Sequence, residues 1–419
     1  MELNLKQTMA VKAAMAGENL FITGSGGVGK SVVVSELERL MKKSAILLAP
    51  TGRAALNIGG ATLHRTFGIP PSICHESEWM HGKVMENLFG DDTVKTIIID
   101  EISMVRLDVL CAIDRKLRSI KKTSKPFGGL QVIFVGDFFQ LAPVLIRHEE
   151  SVYYELYDSI YCFAADAWYE IDPTPIILDE VMRQGDKNTV RALNAVRKGT
   201  AGEGVLEWLN ILGENAVVSD EALTLCTRNV DANEINDIYY AKLTTKEETM
   251  CASIVGTFPD RPVEKYIKLK KGCRVIICAN NTMAGYRNGD SGYIKSFHLN
   301  AADPYIAVVL DNGITVSVEV YEWEATRYKV TKGKLDKMKV GSYKQYPLKL
   351  GYGITIHKAQ GMTLDEYTLD LGGGAFAHGQ AYVGISRVRS LDHMRLTRPI
   401  YPHDIIIDQE VIDFYEEIS

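Results

Sequence analysis

The stretch LFITGSGGVGKSVVVSEL, Leu20 to Leu37, constrains the fold more than any other part of the chain. Four apolar or β-branched residues lead into a glycine-rich loop that ends Gly29-Lys30-Ser31. Val33, Val34, Leu37, Leu40 and Met41 then recur as one apolar stripe. This pattern predicts strand, loop and helix in direct succession. In that context Gly24-x-x-x-x-Gly29-Lys30-Ser31 reads as a phosphate loop. Backbone N–H groups and a helix N-terminus would surround a polyanion, and Gly24, Gly26, Gly27 and Gly29, with Val28 between them, would let the main chain approach closely. Lys30 is expected to reach the β- and γ-phosphates, and the Ser31 hydroxyl to ligate Mg²⁺.

A phosphate loop needs carboxylates, and TIIIDEISM (96–104) supplies them. An apolar strand ending in Asp100-Glu101 would place Asp100 to hold the metal through water and Glu101 to orient or deprotonate an attacking water. QVIFVGDFFQLAPV (131–144) gives a further buried strand, then Gln140, an amide able to sense the γ-phosphate. Other apolar runs read as buried parallel strands: Ala45–Ala49, Ile97–Asp100, Val132–Val135, Leu223–Cys226 and Ile354–Ile356. Strands alternating with helical patterns imply an α/β sheet covered on both faces. From about Tyr266 to Tyr346 the signals change to strand and turn. Asn288-Gly289 and Asn312-Gly313 predict hairpin turns with both central residues at positive φ, and hence a small inserted β-barrel.

The bulk composition, 419 residues with 46% apolar and 24% charged, suffices for two or three packed units. No run reaches the ~18 apolar residues of a membrane span, and Met1-Glu2-Leu3-Asn4 lacks the layout of a signal peptide. Seven scattered cysteines point to a reducing compartment. Cys74, His75 and His81 lack a fourth zinc ligand at a usual spacing and read as a solvated loop. The net charge of −6 argues against polyanion binding in general. Two basic clusters nonetheless suggest local basic surfaces: Arg115, Lys116, Arg118, Lys121, Lys122 and Lys125, and the segment 327–349 with eight basic residues.

Taken in order, GSGGVGKS (24–31), APTGRAALNIGGATLHRTFGI (49–69), IIIDEISM (97–104), KPFGGLQVIFVGDFFQLAPV (125–144), LDEVMRQGDKNTVRALNAVRKG (178–199), YGITIHKAQGMTLD (352–365) and AYVGISRVRS (381–390) resemble superfamily 1B DNA helicases of the PIF (petite integration frequency) family. The likeness runs from about Leu3 to Leu396. Val28 stands where the family often has Thr, Ala142 where Pro is usual and Met182 where an aromatic is frequent. Without long terminal extensions, the chain resembles a minimal bacterial or phage-type core.

The resemblance implies two RecA-like P-loop domains in tandem. The first is expected at 1–172 with a small wedge around 62–90, the second at 173–264 and 350–419, and an SH3-like barrel at 265–349. ATP and Mg²⁺ would lie between the domains. Gln7 matches the family's adenine-reading glutamine, while Arg183 and Arg387 match its arginine fingers, with Arg389 as competitor for Arg387. Matching DNA-facing positions are Pro50, Thr51 and His64, then Thr355, His357 and Lys358, with Phe139 available to stack a base. GIPPSI (68–73) sits where the family carries its wedge.

The activity so implied is ATP-dependent 5′→3′ translocation on single-stranded DNA with unwinding of forked or tailed duplex. The enzyme would be a monomer in solution, cytoplasmic and nucleoid-associated, with no membrane partner. Two alternatives remain open at this point: a nucleotide-gated single-strand clamp that does not unwind, and an RNA-directed helicase.

Overall fold

In the computed structural model of the chain, the described residues are 3–70, 72–74, 83–145, 149–179, 187–256, 258, 261–331 and 334–418, without side chains at 84 and 326–337. The chain divides into two compact units, one of Met1–Gly185, Ala325–Val340 and Asp408–Ser419, the other of Asp186–Glu324 and Gly341–Ile407.

The first unit is built on a six-stranded, wholly parallel sheet. Its strands are β1 (Leu20–Thr23), β2 (Ala45–Ala49), β3 (Ala61–Thr62), β4 (Thr96–Ile99), β5 (Gln131–Val135) and β6 (Thr174–Ile177), in the order β3-β2-β4-β5-β1-β6. β1, β2 and β4 are buried along their whole length, which explains their unbroken apolar character. Helix Lys30–Met41 turns Val33, Val34, Leu37 and Met41 inward, where they pack with Leu20, Ile22, Ile133 and Val135. Leu40, expected on the same stripe, is instead exposed.

Two boundaries of the first unit differ from expectation. The first unit does not end at residue 172, because β6 pairs with β1 across Leu20–Thr23. Pro175 removes one ladder donor, so this strand reads weakly in the sequence, and it occupies the sheet edge where proline is tolerated. Helix Gln409–Glu417, expected in the second unit, belongs to the first. Its Phe414 stacks on Phe163 at 4.2 Å and meets the edges of Phe138 and Trp168.

The second unit contains a four-stranded parallel sheet in the order Gly353–Thr355, Thr224–Cys226, Tyr367–Asp370, Met394–Leu396. Between its first and second strands in sequence lies an antiparallel region. It begins at Glu247–Cys251, earlier than the expected 265, where that strand pairs with Tyr266–Lys270. Its main part is a five-stranded sheet from Arg274–Ile277 to Leu348–Leu350. Ser253–Gly256 pairs with 341–344.

At the Asn312-Gly313 turn only Gly313 takes positive φ, +83°. The connection is therefore a longer loop closed by a left-handed glycine, not a two-residue turn with both central residues left-handed. Gly289, at φ +104°, lies in a longer connection as well. Among the described residues, no helix is long and apolar enough to cross a membrane.

The expected basic cluster at 115–125 is neutralised in part. Arg118 pairs with Asp114 and Glu170 at 2.7 Å, Lys121 with Asp92 at 3.2 Å, and Lys116 is buried. Most of the basic residues in 327–349 lie outside the described side chains.

Candidate functional site

Parallel strands end on a common edge, and ligands of open α/β sheets bind beyond their carboxyl ends. In the first unit that edge collects the loop after β1, Pro50-Thr51 after β2, Asp100-Glu101 after β4 and the turn Gly136–Gln140 after β5.

The loop after β1 is shaped by glycine. Gly24, Gly27 and Gly29 have φ of +145°, +85° and +84°. A Cβ on Gly24 would stand 2.3 Å from the Leu178 carbonyl oxygen, and one on Gly29 would stand 2.3 Å from Gln7 Nε2. Gly29 is the N-cap of helix Lys30–Met41 with no side-chain cap, which suits the helix start to an external anion. Lys30 Nζ donates to the carbonyl oxygens of Gly24 (2.6 Å) and Ser25 (3.2 Å), so the ammonium lies over the concave side of the loop.

Gln7 is 1% exposed and committed at both ends of its amide. Its Oε1 accepts from Asn4 N–H at 3.0 Å, completing a reciprocal cap with the Asn4 side chain, and its Nε2 donates to Val28 O at 3.2 Å. Gln7 thereby ties helix Leu5–Met15 to the loop. An amide has two N–H donors and two acceptor lone pairs, so base reading would use the second member of each pair.

Asp100 ends the β4 segment and accepts the Glu101 N–H at 2.9 Å. Burial, and then the neighbouring Glu101 carboxylate, push the Asp100 carboxyl up to about 7, against the pull of the Glu101 N–H and the Lys30 ammonium. Glu101 is held at φ +52°, a left-handed conformation unusual for a side-chain-bearing residue. Such strain costs on the order of 1–3 kcal/mol and concentrates at functional sites. Two adjacent half-buried acids thus lie at the strand end, with the Lys30 ammonium acting on Asp100. Mg²⁺ and a triphosphate fit this arrangement: Asp100 and Ser31 would supply oxygen ligands to the metal, and Lys30 with the loop N–H groups would hold the phosphates.

Gln140 is buried, and its N–H donates to Asp137 O at 2.9 Å, closing the turn. Phe139 departs from expectation. Its ring is 3% exposed and stacked on Tyr415 at 4.4 Å, so it is packed in the core instead of being offered to a base.

The candidate nucleic-acid positions form matching local structures in the two sheets. Thr51 caps helix Gly52–Asn57, its Oγ1 accepting from Ala54 N–H at 3.2 Å. Thr355 caps helix Ile356–Ala359 in the same way, accepting from Lys358 N–H at 3.4 Å. Each hydroxyl keeps its own proton for a further acceptor. Pro50 and His64 are half-buried, Lys358 is exposed, and burial holds the His357 imidazole below its usual range.

Arg387, in the second unit, is 3% exposed. Its Nε donates to Val383 O (2.8 Å) and its Nη2 to Ser386 Oγ (2.7 Å), drawing the guanidinium back toward the end of the preceding helix, Gln380–Ile385. Arg389 is exposed, 4.0 Å from Asp365. Arg183, His75, His81 and, within the expected wedge, residues 71 and 75–82 lie outside the described residues.

Comparison with known proteins decides the family. The PIF1-like helicase family matches residues 3–213. The chain belongs to the PIF1-like helicases. It is 32% identical to the ATP-dependent DNA helicase PIF1 of Danio rerio over 435 residues, covering 100% of this chain and 64% of that relative. It is 30% identical to the ATP-dependent DNA helicase Pif1 of Bdellovibrio bacteriovorus, covering 100% of this chain and 92% of the relative. The Pif1 of a Bacteroides species, solved in complex with ADP-AlF4, superposes with a TM-score of 0.90 at 32% identity, covering 100% of this chain and 97% of that one. The chain thus spans slightly under two thirds of the length of its vertebrate relative. As a PIF1-like chain, it has the α/β architecture with parallel-sheet cores of that Bacteroides structure.

Sequence reasoning missed one residue at the nucleotide edge. The Tyr415 hydroxyl lies 2.6 Å from Thr23 Oγ1 and 3.2 Å from Phe138 N. Nothing local signals it: Tyr415 stands 392 positions from Thr23 in sequence.

Proposed function

We propose that this chain is an ATP-dependent DNA helicase that moves 5′→3′ along single-stranded DNA and unwinds forked or tailed duplex. The observation that carries this reading is the convergence on one sheet edge of the glycine loop, Lys30, Asp100 with its raised carboxyl and the strained Glu101. The names of its PIF1-like relatives support DNA as the track.

In this reading Lys30, Ser31 and the N–H groups from Gly24 to Gly29 bind the triphosphate, and Asp100 and Ser31 hold Mg²⁺. Bound Mg²⁺ supplies neutralising charge at the phosphate oxygens. Glu101 positions and deprotonates the attacking water, Gln140 senses the γ-phosphate, and Gln7 faces the adenine. Arg183 and Arg387 reach in as fingers, Arg387 exchanging its helix-end partners for phosphate oxygens.

Thr51, Pro50 and His64, with Thr355, His357 and Lys358, grip phosphates of the single strand without reading sequence. The two parallel sheets correspond to tandem RecA-like domains, and the antiparallel region from Glu247 to Leu350 to an SH3-like barrel that closes over the strand. Action as a monomer, on the nucleoid in the cytoplasm, belongs to the same proposal.

Steady-state ATPase with and without single-stranded DNA tests it, together with a tailed fork whose strands report separation. DNA-stimulated hydrolysis and unwinding only from a 5′ tail are expected. Hydrolysis indifferent to DNA would overturn the proposal, and equal stimulation by an RNA strand would remove its preference for DNA.

A further inference from the structure

Helix Gln409–Glu417 reaches the nucleotide edge of the first unit through one hydroxyl. Tyr415 is 8% exposed, and its Oη has three neighbours: Thr23 Oγ1 at 2.6 Å, Phe138 N at 3.2 Å and Asp137 Oδ1 at 3.4 Å. A phenol has one proton and two lone pairs. One arrangement satisfies all three contacts: Thr23 and the Phe138 N–H donate to Oη, and the Oη proton points to the Asp137 carboxylate.

Each partner lies beside a functional segment. Thr23 is the last residue of β1, immediately before Gly24 of the phosphate loop. Asp137 and Phe138 open the turn that ends at Gln140, and Asp137 Oδ1 also accepts the Phe139 N–H at 3.3 Å. Thr23 and Asp137 are each 0% exposed, so an unmet group in this buried node would be costly.

The rest of the helix is fixed independently. Phe414 is embedded among Phe21, Phe138, Phe163 and Trp168, and Tyr161 donates to Asp408 at the helix N-terminus. Phe139, within the turn, stacks on the Tyr415 ring. The helix is thus a rigid strut, and its hydroxyl joins the start of the phosphate loop to the turn that carries Gln140.

We propose that Tyr415 is a positioning residue for nucleotide hydrolysis, holding the Gly136–Gln140 turn in register with the phosphate loop so that Gln140 meets the terminal phosphate. This rests on the helicase reading above. A small misplacement of a reacting group costs up to roughly a hundredfold in rate.

The test compares five variants of the full chain. Tyr415→Phe keeps the stacked ring and removes the hydroxyl. Its DNA-stimulated kcat is expected to fall about tenfold, with KM for ATP unchanged within about twofold. Thr23→Val removes the same bond from the other side, and should reproduce that split if Tyr415→Phe folds poorly. Phe163→Leu, which loosens the aromatic packing around Phe414 and Phe138 but keeps the Tyr415 hydroxyl, should lower Tm with a smaller loss of kcat than Tyr415→Phe.

If Tyr415 acts through Gln140, the double variant Tyr415→Phe/Gln140→Ala is no slower than Gln140→Ala alone. A kcat within about twofold of wild type for both hydroxyl deletions, or fully multiplicative losses in the double variant, overturns the proposal.

Hydrogen exchange at Phe138 and its neighbours gives an answer independent of activity. Faster exchange in Tyr415→Phe supports the node, and unchanged protection refutes it even if the wild-type chain proves to lack DNA-stimulated ATPase. That last result would sink the helicase reading alone.

Discussion

Asp100 and Asp404 are two shielded carboxyls, one in each unit, and their surroundings move them in opposite directions. At Asp100, burial and the adjacent Glu101 raise the carboxyl to about 7. At Asp404 burial also pushes upward, but Arg398 at 2.8 Å to both oxygens, with N–H donors from Tyr401 and Ala375, holds it below the usual carboxylate range. The second acid is satisfied by the protein and serves the fold. The first is raised by burial and by Glu101, a cost tolerated where an external cation and a polyanion are to bind. A buried charge without a full set of protein partners is therefore the better mark of chemistry.

The comparison can be broken most directly at the loop. Lys30→Ala should lower ATP hydrolysis by at least ~10³-fold while single-strand binding persists, because the amine's work is on transferring phosphate. Loss of DNA binding with retained hydrolysis would reverse the roles assigned to the two segments. Arg387→Ala comes next. Finger arginines contribute ~10³–10⁵ in rate, so kcat should collapse with ATP affinity little changed. If Tm alone falls, the bonds to Val383 and Ser386 are the whole of its role.

Thr51→Ala and Thr355→Ala sharpen the likeness between the units. Each removes one cap and one hydroxyl, and each should weaken single-strand binding roughly five- to tenfold in a salt-dependent titration. Thr→Ser at either position should restore it. A loss at only one of the two would show that the matching caps do not do matching work.

The smallest effects are in stability against pH, measured as Tm of the nucleotide-free chain in a chelator. A carboxyl raised in the folded state takes up protons on folding, so its contribution falls as pH rises from about 4 to about 7. Asp100→Asn should therefore raise Tm at pH 8 and leave it unchanged near pH 4. Asp404 is depressed, so its contribution is full above about pH 4 and is lost as pH falls through its folded value. Asp404→Asn should lower Tm at pH 7 and matter least in acid. Equal shifts at both sites and pH values would erase the distinction.

Much of the nucleotide edge is legible in the chain because its signals are local. Leu20–Thr23, Ala45–Ala49 and the run before Asp100 announce buried parallel strands by continuous apolar character, and the glycines of the loop announce a backbone that side chains would obstruct. β6 was hidden because Pro175 disguises an edge strand, and only its pairing with β1 reveals it. Phe139 reads as an available aromatic after a core strand. Its burial depends on Tyr415, whose position no local pattern encodes.

What the sequence determined by itself is chemistry tied to short spacing: a phosphate loop, paired carboxylates, alternating strands and helices, and blocks whose order marks the family. These survive reading in one dimension because three to eight consecutive residues specify backbone shape and charge. Tertiary structure alone decided that helix Gln409–Glu417 belongs with the first sheet, that Gln7 is bonded at both ends of its amide, and that Asp100 is raised by burial and Glu101 while Asp404 is held down by Arg398. The reason is physical: burial and hydrogen-bond satisfaction are set by groups hundreds of residues apart, brought together only by folding.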